Sequence, residues 1–208
     1  MRMTKTQKII GWTSLWILLP ILYGVFYYSQ LPTTMAIHFD FNNQADGWAG
    51  KNWVVFGLPL MMLALQWFAV IITRLNATHK GSAPRLERVL YSIVPVLNLV
   101  VYVVTIQFNL GHEVDILRVV MLVIGLVFIA MGNYLPTAPA NSNVGFHTPT
   151  KQNDQHWVRA TRRLGYILVV GGLLCIASMF FAPLASAIAM LVIIIGVIVV
   201  GLVSLQRD

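Results

Sequence analysis

Between Leu164 and Leu205 the chain carries no Asp, Glu, Lys or Arg. About 20 apolar residues, at 1.5 Å rise each, cross a hydrocarbon core. This run is therefore about two spans long, and Pro183 near its middle marks a tight turn between two helices. Four further uncharged runs precede it: Ile9 to Tyr28, Trp53 to Thr73, Val89 to Leu110 and the shorter Val119 to Leu135. No water in the bilayer satisfies backbone groups, so such runs must close their hydrogen bonds internally, as helices. The expected fold class is all-α: a polytopic membrane protein of six transmembrane helices with both termini cytoplasmic. Composition removes the alternatives. Only 10% of the 208 residues are charged and 58% are hydrophobic, against roughly 25% charged in a soluble domain. A water-soluble enzyme could not cover its surface, and a disordered chain would not be so apolar. Cys175, the single cysteine, excludes a disulfide scaffold and a Cys-based metal cluster.

The charges sort by side. Lys and Arg are retained in cytoplasmic loops. With the termini inside, the inner face holds Arg2, Lys5, Lys8, Arg74, Lys80, Arg85, Arg88, Lys151, Arg159, Arg162, Arg163 and Arg207, and the outer face only Lys51 and Arg118. The acids Asp40, Asp46, Glu113 and Asp115 fall outside. The net charge of +7 thus has a topological cause, and no direct nucleic-acid binding is expected. Arg2, Lys5 and Lys8 ahead of the first span resemble a signal peptide's start. The apolar run that follows exceeds the roughly 7–15 residues of a cleaved signal, so an uncleaved first helix is expected.

Within the spans polar residues are few. Gln66 and Asn98 are read first as amides that hydrogen-bond a neighbouring helix, and second as markers of a pathway. No Asp, Glu, Lys or His lies deep in a span, which argues against a proton-coupled transporter. Pro20, Pro59 and Pro95 should kink their helices. Cys175 is read as an inert packing thiol.

Two connections are longer than a hairpin needs, and long polar loops are where function concentrates. The outer one, residues 31–52, alternates Asp40, Asn42, Gln44 and Asp46 like the opening of a calcium loop. The pattern then fails, with Lys51 where a bidentate Glu is required. A zinc site built on His38 and Asp40 would lack further ligands. The expectation is a compact cap, with Phe39, Phe41 and Trp48 as an interfacial aromatic belt, lying where a secreted molecule would first arrive. The inner connection, residues 132–165, leaves the membrane through Asn133 and Pro136. Pro139, Gly145 and Pro149 enforce a turn-rich path. Asn153 and Asp154 can cap a helix starting near Gln155. On that helix Trp157 with Thr161, and Arg159 with Arg163, form two stripes by their spacing of four. Such a surface suits lipid phosphates or an acidic partner.

The run Gly132-Asn133-Tyr134-Leu135-Pro136, then Asn141, Gly145-Phe146-His147-Thr148-Pro149, Trp157, Thr161 and Arg163-Leu164-Gly165 resembles the SdpI family. The outer segment Leu31-Pro32 through His38-Phe39 to Asp46-Gly47-Trp48 looks like the small module often found ahead of that domain. The resemblance implies residues 1–88 as an N-terminal two-helix module with its loop 31–52, and residues 89–208 as an SdpI-like four-helix domain. It implies a multi-pass protein of the bacterial plasma membrane that protects its producer from a secreted toxic peptide. In one branch of the family, such a protein also holds a cytoplasmic repressor at the membrane. Asn133, Pro136, Asn141, Gly145, His147, Thr148, Pro149, Trp157 and Thr161 would be the signature loop, with His147 where the family usually has Arg. Arg159 and Arg163 are the candidates for docking the regulator. His38, Asp40, Asp46 and Trp48 are the candidates to face the toxin. No cofactor or metal and no catalytic residue is expected. The alternative is a small-solute transporter or membrane enzyme, for which His147, His156 and Asp154 supply no evident nucleophile, base and orienter.

Overall fold

A computed structural model describes residues 4–40, 42–80, 83–138, 154–181 and 183–205. In chain order these form α1 (Lys5–Leu18), α2 (Ile21–Phe26), β1 (Thr34–Phe39), β2 (Ala45–Gly50), a π turn (Trp53–Gly57), α3 (Leu58–Lys80), α4 (Pro84–Asn109), α5 (Ile116–Tyr134), a 3-10 turn (Leu135–Thr137), α6 (Asp154–Ser178) and α7 (Pro183–Leu205). Among the described residues six helical stretches are long and apolar enough to span a membrane: Lys5–Phe26, Trp53–Leu75, Pro84–Asn109, Ile116–Thr137, Val158–Ser178 and Pro183–Leu202. The six-span expectation is met. Large apolar side chains such as Phe26, Phe68, Val170 and Ile195 stand exposed along them, as lipid-facing residues must. One element departs from the all-helical expectation: the connection of residues 31–52 contains a two-stranded antiparallel hairpin. Thr34, Ile37 and Phe39 favour extended backbone, and the intervening turn closes on Asp40.

The chain packs as two units. The first comprises residues 1–74 and 91–117. Its logic follows from its prolines. A proline inside a helix brings no N–H to the carbonyl four residues earlier, and in a bilayer that carbonyl needs another donor. Pro95 lies inside α4, so the carbonyl affected is that of Tyr91. The fully buried Gln66 of α3 donates to it through Nε2 at 2.9 Å. Pro59 has the same effect on Val55, where the backbone widens into the π turn. There Tyr102 of α4 donates its hydroxyl to the Val55 carbonyl at 3.1 Å. Pro20 ends α1, and Asn98 Nδ2 donates to the Ile17 carbonyl in its last turn at 3.0 Å. Gln66 and Asn98 are thus interhelical ties, the first of the two roles weighed for them. Tyr91, Asn98, Tyr102 and Thr105 recur at three-, four- and seven-residue intervals on α4 and are all buried, which makes α4 the polar spine of this unit. Tyr102 reaches Val55 by passing directly over Gly24, where any Cβ would collide with its hydroxyl. Around it Leu31, Met35, Val54, Val55 and Ile106 close a core.

The second unit comprises residues 75–90 and 118–208. Here α4 begins with Pro84 at its first position, and buried Glu87 accepts from the Ala83 N–H at 3.0 Å. Ala83 and Leu86 pack against Ala138, flanked by Tyr134 and Leu135. Helices α6 and α7 form an antiparallel pair in which buried Ser178 and Ser186 share a hydrogen bond of 3.2 Å. Cys175 is buried with its Sγ 3.9 Å from Met190 Sδ.

Candidate functional site

The hairpin of the first unit is organised by its carboxylates and amides. Asp40 Oδ1 accepts from the N–H groups of Asn42 and Gln44 at 2.9 and 2.8 Å. Asp40 thus organises the turn through its side chain, in an Asx-type turn, with Asn42 and Gln44 supplying backbone donors. Asn43 takes positive φ (62°), a conformation Asn tolerates better than most residues. From there it donates to the Val114 carbonyl at 3.0 Å and accepts from the Ile116 N–H at 2.8 Å, capping the start of α5. At the other end, Asn109 clasps both backbone groups of Ala36, accepting at 2.8 Å and donating at 2.9 Å. Phe39 packs edge-on to Phe108 with centroids 4.6 Å apart. Two asparagines and one aromatic pair thus fasten the hairpin to the end of α4 and the turn after it.

Of the residues proposed from sequence to face a toxin, His38 and Asp46 come together, Nδ1 to Oδ1 at 2.5 Å. The pairing follows from two irregularities in the ladder, around Ile37 and Asp46, and from Gly47, where a Cβ would come 2.8 Å from that of His38. The His38–Asp40 pairing considered for a metal does not form; Asp40 is engaged in the turn. Trp48 is 59% exposed. Phe41 lies outside the described residues. Lys51 is turned inward, with Nζ 3.2 and 3.0 Å from the Tyr28 and Leu31 carbonyls and over the Tyr28 ring. Beside the hairpin an open depression of about 600 Å³ is lined by Asn43, Phe108, Gly111 and His112 through Asp115.

In the second unit, the two ends of the connection 132–165 are pinned together. Gly132 of α5 faces Gly165 of α6: a Cβ on either would stand 2.6 Å from the other's carbonyl oxygen. Gly125 and Gly172, seven residues away on each helix, repeat the contact at 2.6 and 2.5 Å. Such spacing allows Cα–H···O contacts between closely packed helices. Pro136 packs against Gly165 as well, and Thr137 Oγ1 donates to the Tyr134 carbonyl at 2.7 Å. On α6, Thr161 is buried while Arg159, Arg162 and Arg163 are exposed. The residues Asn141, Gly145, His147, Thr148 and Pro149, and the cap residue Asn153, lie outside the described residues; Trp157 is placed on α6 by its backbone.

Residues 137–205, from the pinned loop to the end of α7, match the family described as the SdpI/YfhL protein family. The resemblance read from the inner motif is to this family. Residues 15–63, which hold α2, the hairpin and the π turn, match a domain of unknown function, DUF1648. The chain is 25% identical over 184 residues to Immunity protein SdpI of Bacillus subtilis (strain 168), covering 88% of this chain and 87% of that protein. No solved structure matches it. Six spanning helices and SdpI-like sequence make this a multi-pass cell-membrane protein.

Sequence reasoning missed Asn43 and Asn109, whose partners lie about seventy positions away. It also passed over Gly125, although its seven-residue spacing to Gly132 was there to be read.

Proposed function

We propose that this chain is an integral membrane immunity protein that captures a secreted antimicrobial peptide at the hairpin end of its first unit. The observation that carries this reading is similarity to Immunity protein SdpI over 88% of the chain, together with the matches to the N-terminal module and the SdpI/YfhL family. The hairpin region supports it. Asp40, Asp46, Glu113 and Asp115 gather there, and Lys51 in the same segment is turned inward. A cationic peptide would be drawn to such a surface, although single exposed charges act weakly in salt. The role is binding rather than catalysis. Expression in a sensitive strain should raise the concentration of the producer's secreted peptides needed to kill it. An unchanged killing threshold would remove the reading.

A sensing role has its own support in the exposed Arg159, Arg162 and Arg163 on the first turns of α6. Their guanidinium groups suit an acidic face of a cytoplasmic repressor. Capture of such a partner from the host that survives Arg159→Ala and Arg163→Ala together would refute that surface.

A further inference from the structure

The hairpin has two backbone edges, and the phase of its ladder tells which residues face outward. The Lys51 N–H donates to the Thr33 carbonyl at 2.9 Å, which makes that pair a hydrogen-bonded one. Such pairs alternate along an antiparallel ladder. Given the register Thr34↔Gly50, Met35↔Ala49 and Ala36↔Trp48, Met35 and Ala49 face each other. The N–H and C=O groups of Thr34, Ala36, Trp48 and Gly50 then point away from the partner strand. Asn109 verifies this phase on β1, because its side-chain amide occupies both groups of Ala36. The β1 edge is closed there.

The β2 edge is open. Asp46, Trp48 and Gly50 are exposed, and a Cβ on Gly50 would meet nothing within 4 Å. Among the described residues nothing pairs with the outward backbone groups of Trp48 and Gly50. Native edge strands are usually blunted by Lys, Pro or a covering segment. Gly47 to Gly50 carries no Lys or Pro.

We propose that the β2 edge at Trp48–Gly50 is a strand-addition site for an extended basic peptide. Main-chain hydrogen bonds to Trp48 and Gly50 would supply affinity, and side-chain contacts the selectivity. The exposed Trp48 ring offers an apolar platform. Asp40, Asp46, Glu113 and Asp115 in the same unit favour basic side chains, while the Lys51 ammonium is held by the Tyr28 and Leu31 carbonyls. The proposal rests on the peptide-capture reading and names its mode.

The test uses the full chain in detergent micelles and an alternating Lys–Val heptapeptide. Its comparators are the same peptide N-methylated at every residue, which leaves neither edge a backbone donor, and a Glu–Val version. N-methylation deletes backbone donors without changing side chains, so it should weaken binding about tenfold or more, and the Glu–Val peptide should bind more weakly still. Gly50→Pro removes an outward N–H that the hairpin ladder does not use, and should weaken the Lys–Val peptide similarly. Equal binding of the N-methylated peptide overturns strand addition whether or not Gly50→Pro folds. Equal binding of the Glu–Val peptide overturns the basic specificity. A concentration-dependent dimer that Gly50→Pro abolishes would assign the edge to a second copy and overturn peptide docking. In the killing assay, protection retained in full by Gly50→Pro would overturn this edge and leave immunity standing. Failure of the unaltered chain to protect would remove the immunity reading itself, while the peptide comparisons would still decide the edge.

Discussion

Gln66→Leu tests whether the buried amide serves the carbonyl that Pro95 leaves without its helical donor. The substitution changes two things of opposite sign. It deletes the 2.9 Å hydrogen bond to the Tyr91 carbonyl, and interhelical bonds of this kind average about 0.6 kcal/mol and reach about 1.7. It also deletes the Gln66 Oε1 acceptor, which is buried with no partner among the described residues. A buried unsatisfied acceptor costs about 1–3 kcal/mol. On these figures the single variant should lie between about 0.7 kcal/mol less stable and about 2.4 kcal/mol more stable than the parent, so its stability alone decides little. The decisive quantity is the coupling to Pro95→Ala. That second substitution restores a backbone N–H to the Tyr91 carbonyl, so the bond from Gln66 becomes dispensable, whereas the removal of Oε1 is unaffected. A double-mutant cycle should show Gln66→Leu less damaging, by about 0.6–1.7 kcal/mol, in the Pro95→Ala background than in the parent. Reversible unfolding in mixed micelles of a mild detergent and dodecyl sulfate would measure all four corners. Additivity within about 0.3 kcal/mol would refute the pairing of amide and proline.

Other substitutions follow from the same geometry. Gly24→Ala forces Tyr102 off the Val55 carbonyl and should cost about 1–3 kcal/mol by overpacking. Gly11→Ala, with nothing within 4 Å, should leave the thermal midpoint in micelles unchanged or slightly raised, since Ala favours helix. Gly125→Ala and Gly132→Ala each push a Cβ to 2.6 Å from a carbonyl of α6. Each should cost about 1–3 kcal/mol, and destabilisation no greater than that of Gly11→Ala would count against the tight helix pair. Asn109→Ala exposes the Ala36 backbone groups and should cost about 1–3 kcal/mol. Hydrogen exchange at the Ala36 amide should accelerate while the α7 amides keep their rates. Asn43→Ala loses the cap on Ile116 and gains strain at positive φ, for about 1–2 kcal/mol. Asn43→Gly relieves the strain and should fall between the Asn43→Ala variant and the parent.

The helical part of the fold was legible because it is written locally. An uncharged run of a given length has one outcome in a bilayer. The observed breaks fall at Pro20, Pro59 and Pro183, where the chain announces them. The hairpin was not legible as strands: β1 and β2 are six residues each, and β2, Ala-Asp-Gly-Trp-Ala-Gly, carries little intrinsic strand preference. β2 is held extended by pairing with β1, which Asn109 fixes in turn, information that lies elsewhere in the chain. The Asp40 to Asp46 alternation was visible, but the use of Asp40 in the turn and of Asp46 against His38 depended on backbone shape. In the same way, Gln66 and Asn98 could be read as interhelical ties, whereas their choice of the Tyr91 and Ile17 carbonyls required the helices to be in place.

The two proline-linked bonds of the α3–α4 region run in opposite directions, Gln66 to the Tyr91 carbonyl and Tyr102 to the Val55 carbonyl. Each segment therefore carries a defect that the other mends. A second span inserted alone would hold an exposed carbonyl and an unused amide in lipid, and the third would hold a carbonyl and an unused hydroxyl. Biogenesis should then favour delivery of the two as a helical hairpin. A break introduced between them, with the halves synthesised apart, should yield fragments that are degraded separately and rescued when co-expressed.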